Sequence, residues 1–226
     1  MNAETPDFIR ATRTAYDTIA DAYTEQFSDW AGIPLLDRVQ INGFAELVRE
    51  QGTGPVADVG SGPGHVTARL SALGLQVFGV DVSPRMVELA RRAHPSLRFH
   101  VGSMTSLDLP AETLNGITAL YSIIHVPDDH LPRAFAEFHR VLKPGAHALI
   151  GFQYEPGGGH LHLTERFGQE ISLDYHWRTP DEVAEHLTEA GLQVIVRVLR
   201  ETLNEEKYAR AFLVARKPAQ ESVAGT

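Results

Sequence analysis

The spacing of apolar residues in the first fifty positions is helical. Over 11–27 these residues recur at three- and four-residue intervals, which places them on one face of a helix. A second helix is predicted to begin after Pro34 and to end near Glu50. Two helices are therefore expected before the first strand.

From residue 54 onward, short apolar runs alternate with helical stretches. Strands are predicted over 55–59, 76–80, 97–101, 116–122 and 146–153. Strands that alternate with helices favour a parallel sheet that is covered on both faces.

The rhythm changes after Gln153. Two strands are predicted over 161–165 and 171–175, followed by a helix that begins at the capping box Thr179–Glu182. Two closing strands are predicted over 192–203 and 208–215. Such a closing hairpin indicates an antiparallel last strand on an otherwise parallel sheet.

Composition removes several classes of protein. The 226 residues include no cysteine, which excludes a disulfide scaffold, a thiolate metal site and a cysteine nucleophile. No apolar run approaches the ~18 residues of a membrane span, and the first ten residues lack the apolar core of a signal peptide. We therefore expect a cytoplasmic protein without a membrane partner. The net charge of −9 disfavours nucleic acid as a partner.

The most informative segment is the glycine-rich turn that follows the strand at 55–59. Gly60 and Gly62 lack side chains, so a ligand can approach the backbone closely. Asp81 ends the next apolar run, 21 residues after Gly60, a separation that suits hydrogen bonds to ribose hydroxyls. In the alternative interpretation, the glycines form only a turn and Asp81 only caps a helix. Because both features lie at predicted carboxyl ends of strands, a nucleoside site is favoured.

The turn departs from the fingerprint of dinucleotide-binding proteins. His65 occupies the position of the third glycine. Pro63 also removes a backbone donor that a diphosphate would use. The sequence therefore disfavours NAD.

The sequence DVGSGPG at 58–64, followed by VDVSPRM at 80–86, resembles the class I S-adenosylmethionine-dependent methyltransferases. The similarity is greatest to the small-molecule group with a short N-terminal helical cap. Segments 102–110, 117–126 and 138–145 resemble the same family, so the resemblance covers about 16–152.

The resemblance implies an α/β fold with a Rossmann-like, seven-stranded, mostly parallel sheet, an antiparallel last strand, helices on both faces and an N-terminal helical cap. We expect a single domain. Its predicted parts are a helical cap over about 8–50, a cofactor-binding core over 54–153, a hairpin insertion over 154–178 and a closing helix with strands over 179–217.

The resemblance also implies an S-adenosylmethionine site. Asp58, Gly60 and Gly62 would line its methionine part, Asp81 would bind both ribose hydroxyls, and the backbone of Tyr121 would face the ammonium group. The adenine would lie beside four further residues. The full set of expected cofactor-binding residues is Tyr16, Tyr23, Asp58, Gly60, Ser61, Gly62, Asp81, Val82, Met86, Ser103, Met104 and Tyr121.

Tyr16 and Tyr23 are two helical turns apart and share a face. They either close over the cofactor or form an aromatic stripe packed on the core. His125 follows the fourth apolar run of the sheet and is predicted near the reacting methyl group, with a surface loop as the alternative.

A hairpin centred on Gly168 would place His162 opposite Asp174 and His160 opposite His176, all on one face. Three interpretations remain open for this cluster. In the first, the cluster faces solvent and is inert. In the second, it lines the acceptor pocket and supplies a base with an orienting carboxylate. In the third, it holds a metal. His125, His162 and His176 are the candidate catalytic residues, and no metal is predicted for the reaction.

We therefore predict methyl transfer from S-adenosylmethionine to an oxygen or nitrogen atom of a small molecule. The alternatives are a protein that binds the cofactor without transferring a methyl group and, less favoured, an NAD-dependent oxidoreductase.

Overall fold

The computed structural model describes residues 5–27, 29–204 and 206–219. The helices are α1 (Asp7–Phe27), α2 (Leu35–Glu50), α3 (His65–Ala72), α4 (Pro84–Ala93), α5 (Leu131–Val141) and α6 (Pro180–Glu189). The strands are β1 (Pro55–Val59), β2 (Gln76–Asp81), β3 (Arg98–Val101), β4 (Leu114–Leu120), β5 (Leu142–Tyr154), β6 (Gly159–Arg166), β7 (Gln169–Trp177), β8 (Gln193–Arg200) and β9 (Ala209–Arg216).

Seven strands form the main sheet in the order β3-β2-β1-β4-β5-β9-β8. The first five strands in this order are mutually parallel, and β9 runs antiparallel to both of its neighbours. The predicted sheet with an antiparallel last strand is confirmed. Helices α2 and α3 pack on one face, while α5 and α6 pack on the other.

Local sequence explains where the helices begin. The Ser83 side chain accepts the backbone N–H of Met86, and Pro84 occupies the first turn of α4. Thr179 and Glu182 form a reciprocal capping box at the start of α6. These caps fix the chain direction directly after β2 and β7.

Strands β6 and β7 form a separate two-stranded sheet. Its register pairs His160 with His176 and His162 with Asp174, as predicted. The tip turns at Phe167 and Gly168, both of which have positive φ. The hairpin packs against α1 and against the loop that follows β4.

Several element bounds differ from the prediction by two or more residues, those of β5 and β8 among them. Strand β5 begins at Leu142 rather than at residue 146, and its pairing with β4 shifts between Leu114 and Gly116. Strand β8 ends at Arg200, whose buried side chain is held in ion pairs. Among the described residues, no helix combines the length and the apolar character needed to cross a membrane.

Candidate active site

The carboxyl ends of β1, β2, β3 and β4 open into a cavity that is roofed by α1. Most of the residues predicted to form the site line this cavity. They are Tyr16, Tyr23, Gly60, Gly62, Asp81, Val82, Met86, Ser103, Met104, Tyr121 and His125.

The glycine turn lies against β2 and β4. The Gly60 N–H donates to the backbone oxygen of Val80 at 2.7 Å. Gly60 has φ +78°, and a Cβ there would lie 2.2 Å from the Cβ of Ser122. Only glycine therefore fits at this point, where the backbone forms part of the cavity wall.

Asp81 is oriented by two backbone donors. Its Oδ2 accepts the Gly62 N–H at 2.8 Å, and its Oδ1 accepts the Ser83 N–H at 2.9 Å. Burial raises the pKa of this carboxyl group, and the backbone hydrogen bonds oppose that shift. Each carboxylate oxygen has a second lone pair, so a vicinal diol in the cavity finds two acceptors at one fixed side chain. The residues present thus fit the ribose of a nucleoside cofactor.

Two residues expected to line the cavity, Asp58 and Ser61, lie beneath it instead. The Asp58 oxygens accept the hydroxyls of Thr67 and Thr118 at 2.6 and 2.8 Å. Burial raises the pKa of Asp58 to about 6. The Ser61 hydroxyl is buried without a hydrogen-bond partner among the described residues. Asp58 therefore serves to join β1, α3 and β4 below the turn.

Tyr16 and His125 form a pair in the cavity wall. The Tyr16 hydroxyl lies 2.8 Å from His125 Nε2, and the rings meet edge to face at 5.3 Å. Tyr23 packs against Tyr16 at 5.7 Å. Burial raises the pKa of Tyr16 well above its usual range, so the hydroxyl keeps its proton at neutral pH.

The surroundings of His125 determine its tautomer. Nδ1 lies 2.9 Å from the backbone oxygen of Asp174. A carbonyl oxygen only accepts, so Nδ1 carries the proton and Nε2 accepts the hydrogen bond from Tyr16. Burial lowers the pKa of His125 to about 4. The ring is therefore neutral at pH 7, and its lone pair is directed at Tyr16.

Arg178 holds the loop that carries His125. Its guanidinium donates to the backbone oxygens of Ile123 and Val126 and to Asp128, with 2.7 Å between Nε and the Asp128 carboxylate. Arg178 is 5% exposed. No motif in the sequence indicated this role, because the contacts join segments about fifty residues apart.

Two of the three candidate catalytic histidines, His162 and His176, are not among the residues that line this cavity. His162 and His160 both bond to Asp174 Oδ1 at 2.8 Å, on the half-exposed face of the hairpin. His176 belongs to the same face and stacks on His160 at 5.0 Å. The opposite, apolar face packs toward the site. In the described part of the chain, no group of three or more His, Cys, Asp or Glu side chains is arranged to hold a metal ion.

Sequence reasoning also missed a buried network behind Tyr121. The Tyr121 hydroxyl donates to Asp37 Oδ2 at 2.5 Å, and Arg200 Nε donates to Asp37 Oδ1 at 2.8 Å. Tyr121 itself has φ +55° at the end of β4. This network connects α2 and β8 to the cavity wall.

Comparison with known proteins agrees with this geometry. A family model described as a methyltransferase domain matches residues 56–145. The demethylmenaquinone methyltransferase of Chlorobaculum parvum is 33% identical over 96 residues, which cover 42% of this chain and 39% of that protein. The chain thus spans less than half the length of this relative.

Solved structures share the fold over nearly the whole chain. Magnesium protoporphyrin IX methyltransferase from Synechocystis PCC 6803, with bound S-adenosylmethionine, has a TM-score of 0.69 at 15% identity and covers 96% of this chain and 100% of its own. The 1,6-didemethyltoxoflavin-N1-methyltransferase of Burkholderia thailandensis has a TM-score of 0.64 at 21% identity. The match covers 96% of this chain and 93% of that protein.

Proposed function

We propose that this chain, which carries a class I S-adenosylmethionine-dependent methyltransferase domain, transfers the methyl group of that cofactor to an oxygen or nitrogen atom of a small-molecule acceptor. The observation that carries the proposal is the shared cavity. The glycine turn, Asp81 and the Tyr16–His125 pair all line it.

The floor of the cavity would hold the cofactor. In this proposal the two Asp81 oxygens accept the ribose hydroxyls, and the backbone at Gly60 and Tyr121 contacts the methionine part. The apolar side chains of Met86 and Met104 contact the adenine. These assignments are supported by the position of every one of these residues on the cavity wall.

S-adenosylmethionine supplies a methyl carbon that its positive sulfur has already activated. The protein's main contribution is therefore alignment, since fixing two reactants in line replaces a costly encounter in solution. Helix α1 covers the cavity with Phe8, Ile9 and Tyr16, which keeps water away from the reacting groups.

Tyr16 and His125 would handle the acceptor's proton. Tyr16 donates its proton to His125 Nε2, and the Tyr16 oxygen takes the proton of the acceptor's O–H or N–H group. The neutral His125 ring, with Nε2 unprotonated, is in the form that this transfer requires. An acceptor that enters already ionised needs no proton transfer.

Calorimetric titration tests the cofactor assignment. Wild type, Asp81→Ala and a control, Asp108→Ala, are each titrated with S-adenosylmethionine and with NADH. Asp108 is exposed and lies outside the cavity lining. We expect micromolar-range binding of S-adenosylmethionine, weakened about 100-fold in Asp81→Ala because two hydrogen bonds to a charged group are lost, and unchanged in the control. Tighter binding of NADH, or equal S-adenosylmethionine affinity in all three proteins, contradicts the proposal.

A further inference from the structure

Arg166, the last residue of β6, has an unusual environment for a charged side chain. Its guanidinium carbon lies 5.4 Å from the ring centre of Tyr23, 5.8 Å from that of Phe27 and 5.0 Å from that of Phe167. The only hydrogen bond described for it runs from Nη1 to the Tyr175 hydroxyl, at 2.7 Å.

Within the described part of the chain, no carboxylate lies within salt-bridge distance of Arg166. The two buried arginines Arg178 and Arg200 differ in this respect, since Arg178 pairs with Asp128 and Arg200 pairs with Asp37 and Glu206. The Nε and Nη2 donors of Arg166 together form the edge that binds a carboxylate with two parallel hydrogen bonds. That edge has no protein partner among the described residues.

The guanidinium is connected to the Tyr16–His125 side of the cavity. Tyr175, which accepts from Arg166, packs its ring 4.6 Å from that of His125. Tyr23, which lies under the guanidinium, lines the cavity itself. Burial raises the pKa of Tyr23 to about 12, and the positive charge of Arg166 is the largest opposing effect. The Arg166 charge therefore acts on Tyr23, a residue of the cavity wall.

We propose that Arg166 binds a carboxylate group of the methyl acceptor, which makes the acceptor class small organic acids with an aromatic or aliphatic body. The acid's apolar part packs on the rings of Tyr23, Phe27 and Phe167, and its carboxylate pairs with the Nε/Nη2 edge. This inference rests on the proposed methyl transfer and specifies its substrate class.

The same chemistry has a second possible source, the carboxylate of the cofactor's own methionine part. The contacts of Arg166 favour the acceptor. They lead to Tyr175 and, through its ring, to His125, whereas no contact of Arg166 with Gly60 or Asp81 is found among the described residues.

The first arm of the test compares acids with their neutral amides. Benzoate, 3-phenylpropionate, indole-3-acetate and octanoate, each beside its primary amide, are titrated into the full chain saturated with S-adenosylhomocysteine. The proteins are wild type, Arg166→Gln, Arg166→Lys and a control at an exposed arginine of β3, Arg98→Gln. We expect wild type and the control to bind at least one acid ten-fold more tightly than its amide. The preference should vanish in Arg166→Gln and partly return in Arg166→Lys. If wild type prefers no acid, or if the preference survives in Arg166→Gln, the proposal is wrong.

The second arm identifies the source of the carboxylate. Wild type and Arg166→Gln are titrated with S-adenosylmethionine and with 5′-methylthioadenosine, which lacks the amino-acid part. We expect Arg166→Gln to change neither affinity by more than about two-fold. A selective loss of S-adenosylmethionine affinity would assign Arg166 to the cofactor and overturn the proposal. Absence of S-adenosylmethionine binding by wild type would instead refute the proposed function. Equal melting temperatures of the variants establish that each is folded.

Discussion

Asp37 and Arg200 stand 163 residues apart in the chain and form a buried ion pair, with 2.8 Å between Oδ1 and Nε. Both side chains are about 5% exposed or less. Arg200 also bonds to Glu206, and Asp37 also accepts the Tyr121 hydroxyl. The pair thus fastens the second helix of the cap to the closing strands at the point where Tyr121 forms the cavity wall.

Arg200→Gln is expected to lower the free energy of unfolding by about 3–5 kcal/mol, because it leaves the Asp37 carboxylate buried without its charge partner. Urea denaturation measures the change. The matched control is Arg197→Gln on the same strand, whose pair with Asp181 is exposed and should contribute less than about 1 kcal/mol. An equal loss of unfolding free energy in the two variants would show that the buried pair stabilises the fold no more than the exposed pair does.

Gly60→Ala should reduce both stability and cofactor affinity. The new Cβ would overlap the Ser122 side chain, in addition to the strain of φ +78°. Gly74 has a similar φ of +89° with open space around it, so Gly74→Ala isolates the backbone effect, about 1 kcal/mol. Calorimetry and thermal melting of both variants separate the two effects. Normal S-adenosylmethionine affinity in Gly60→Ala would mean that the turn does not form the cofactor floor.

The His125 ring should show a single tautomer in nitrogen-15 NMR spectra. Because Nδ1 donates to the Asp174 carbonyl, its shift should be that of a protonated nitrogen, and Nε2 that of an unprotonated one. Burial holds the pKa at about 4, so the spectrum should stay unchanged from pH 8 to pH 5. Titration of this ring near pH 6.5 would contradict the buried, hydrogen-bonded position.

Stability should fall as the pH is lowered from 6.5 toward 5. Burial lowers the pKa of His65, His125 and His147 to about 4, so the unfolded chain takes up their protons before the folded chain does. Burial raises the pKa of Asp58 to about 6 and that of Asp81 in the same direction, which opposes the trend. The histidines outnumber the two carboxyl groups, so the net slope should have the sign that the histidines give it. Urea titrations at pH 7, 6 and 5 measure it, and His125→Gln should make it shallower. Stability that rises as the pH falls would show that the carboxyl groups dominate.

With any acceptor that the wild type methylates, His125→Asn should lower kcat by about 10²–10⁴-fold if proton removal is part of the reaction. His162→Ala should leave kcat unchanged within about two-fold, since His162 lies on the outer face of the hairpin. A large loss in His162→Ala alone would restore the hairpin histidines as catalytic candidates.

The sequence predicted the order of elements and the meeting of Gly60 and Asp81 because both depend on local signals. The turn at Gly168 and the alternation of apolar residues fixed the hairpin register, and the spacing from Gly60 to Asp81 placed both at neighbouring strand ends. The side-chain partners were not predictable in this way. Asp58 also lies next to the glycine turn in the sequence, yet its carboxylate accepts hydrogen bonds from Thr67 and Thr118 and does not line the cavity.

Long-range pairs carry no pattern along the chain. Arg166 has a hydrophobic surrounding only because α1 and the hairpin tip meet in space. Likewise, the sequence correctly grouped the even-numbered polar residues of the hairpin on one face. Periodicity alone does not say whether that face contacts solvent or the rest of the protein.

The separate pairing of β6 with β7 has a consequence for how such a protein diversifies. Since this hairpin shares no strand with the seven-stranded sheet, changes in its length or sequence do not require a change in the register of that sheet. It also supplies Arg166 and the carbonyl that orients His125. Gene duplication followed by drift in this one segment would therefore produce paralogues that share a methyl donor and differ in the molecules they modify.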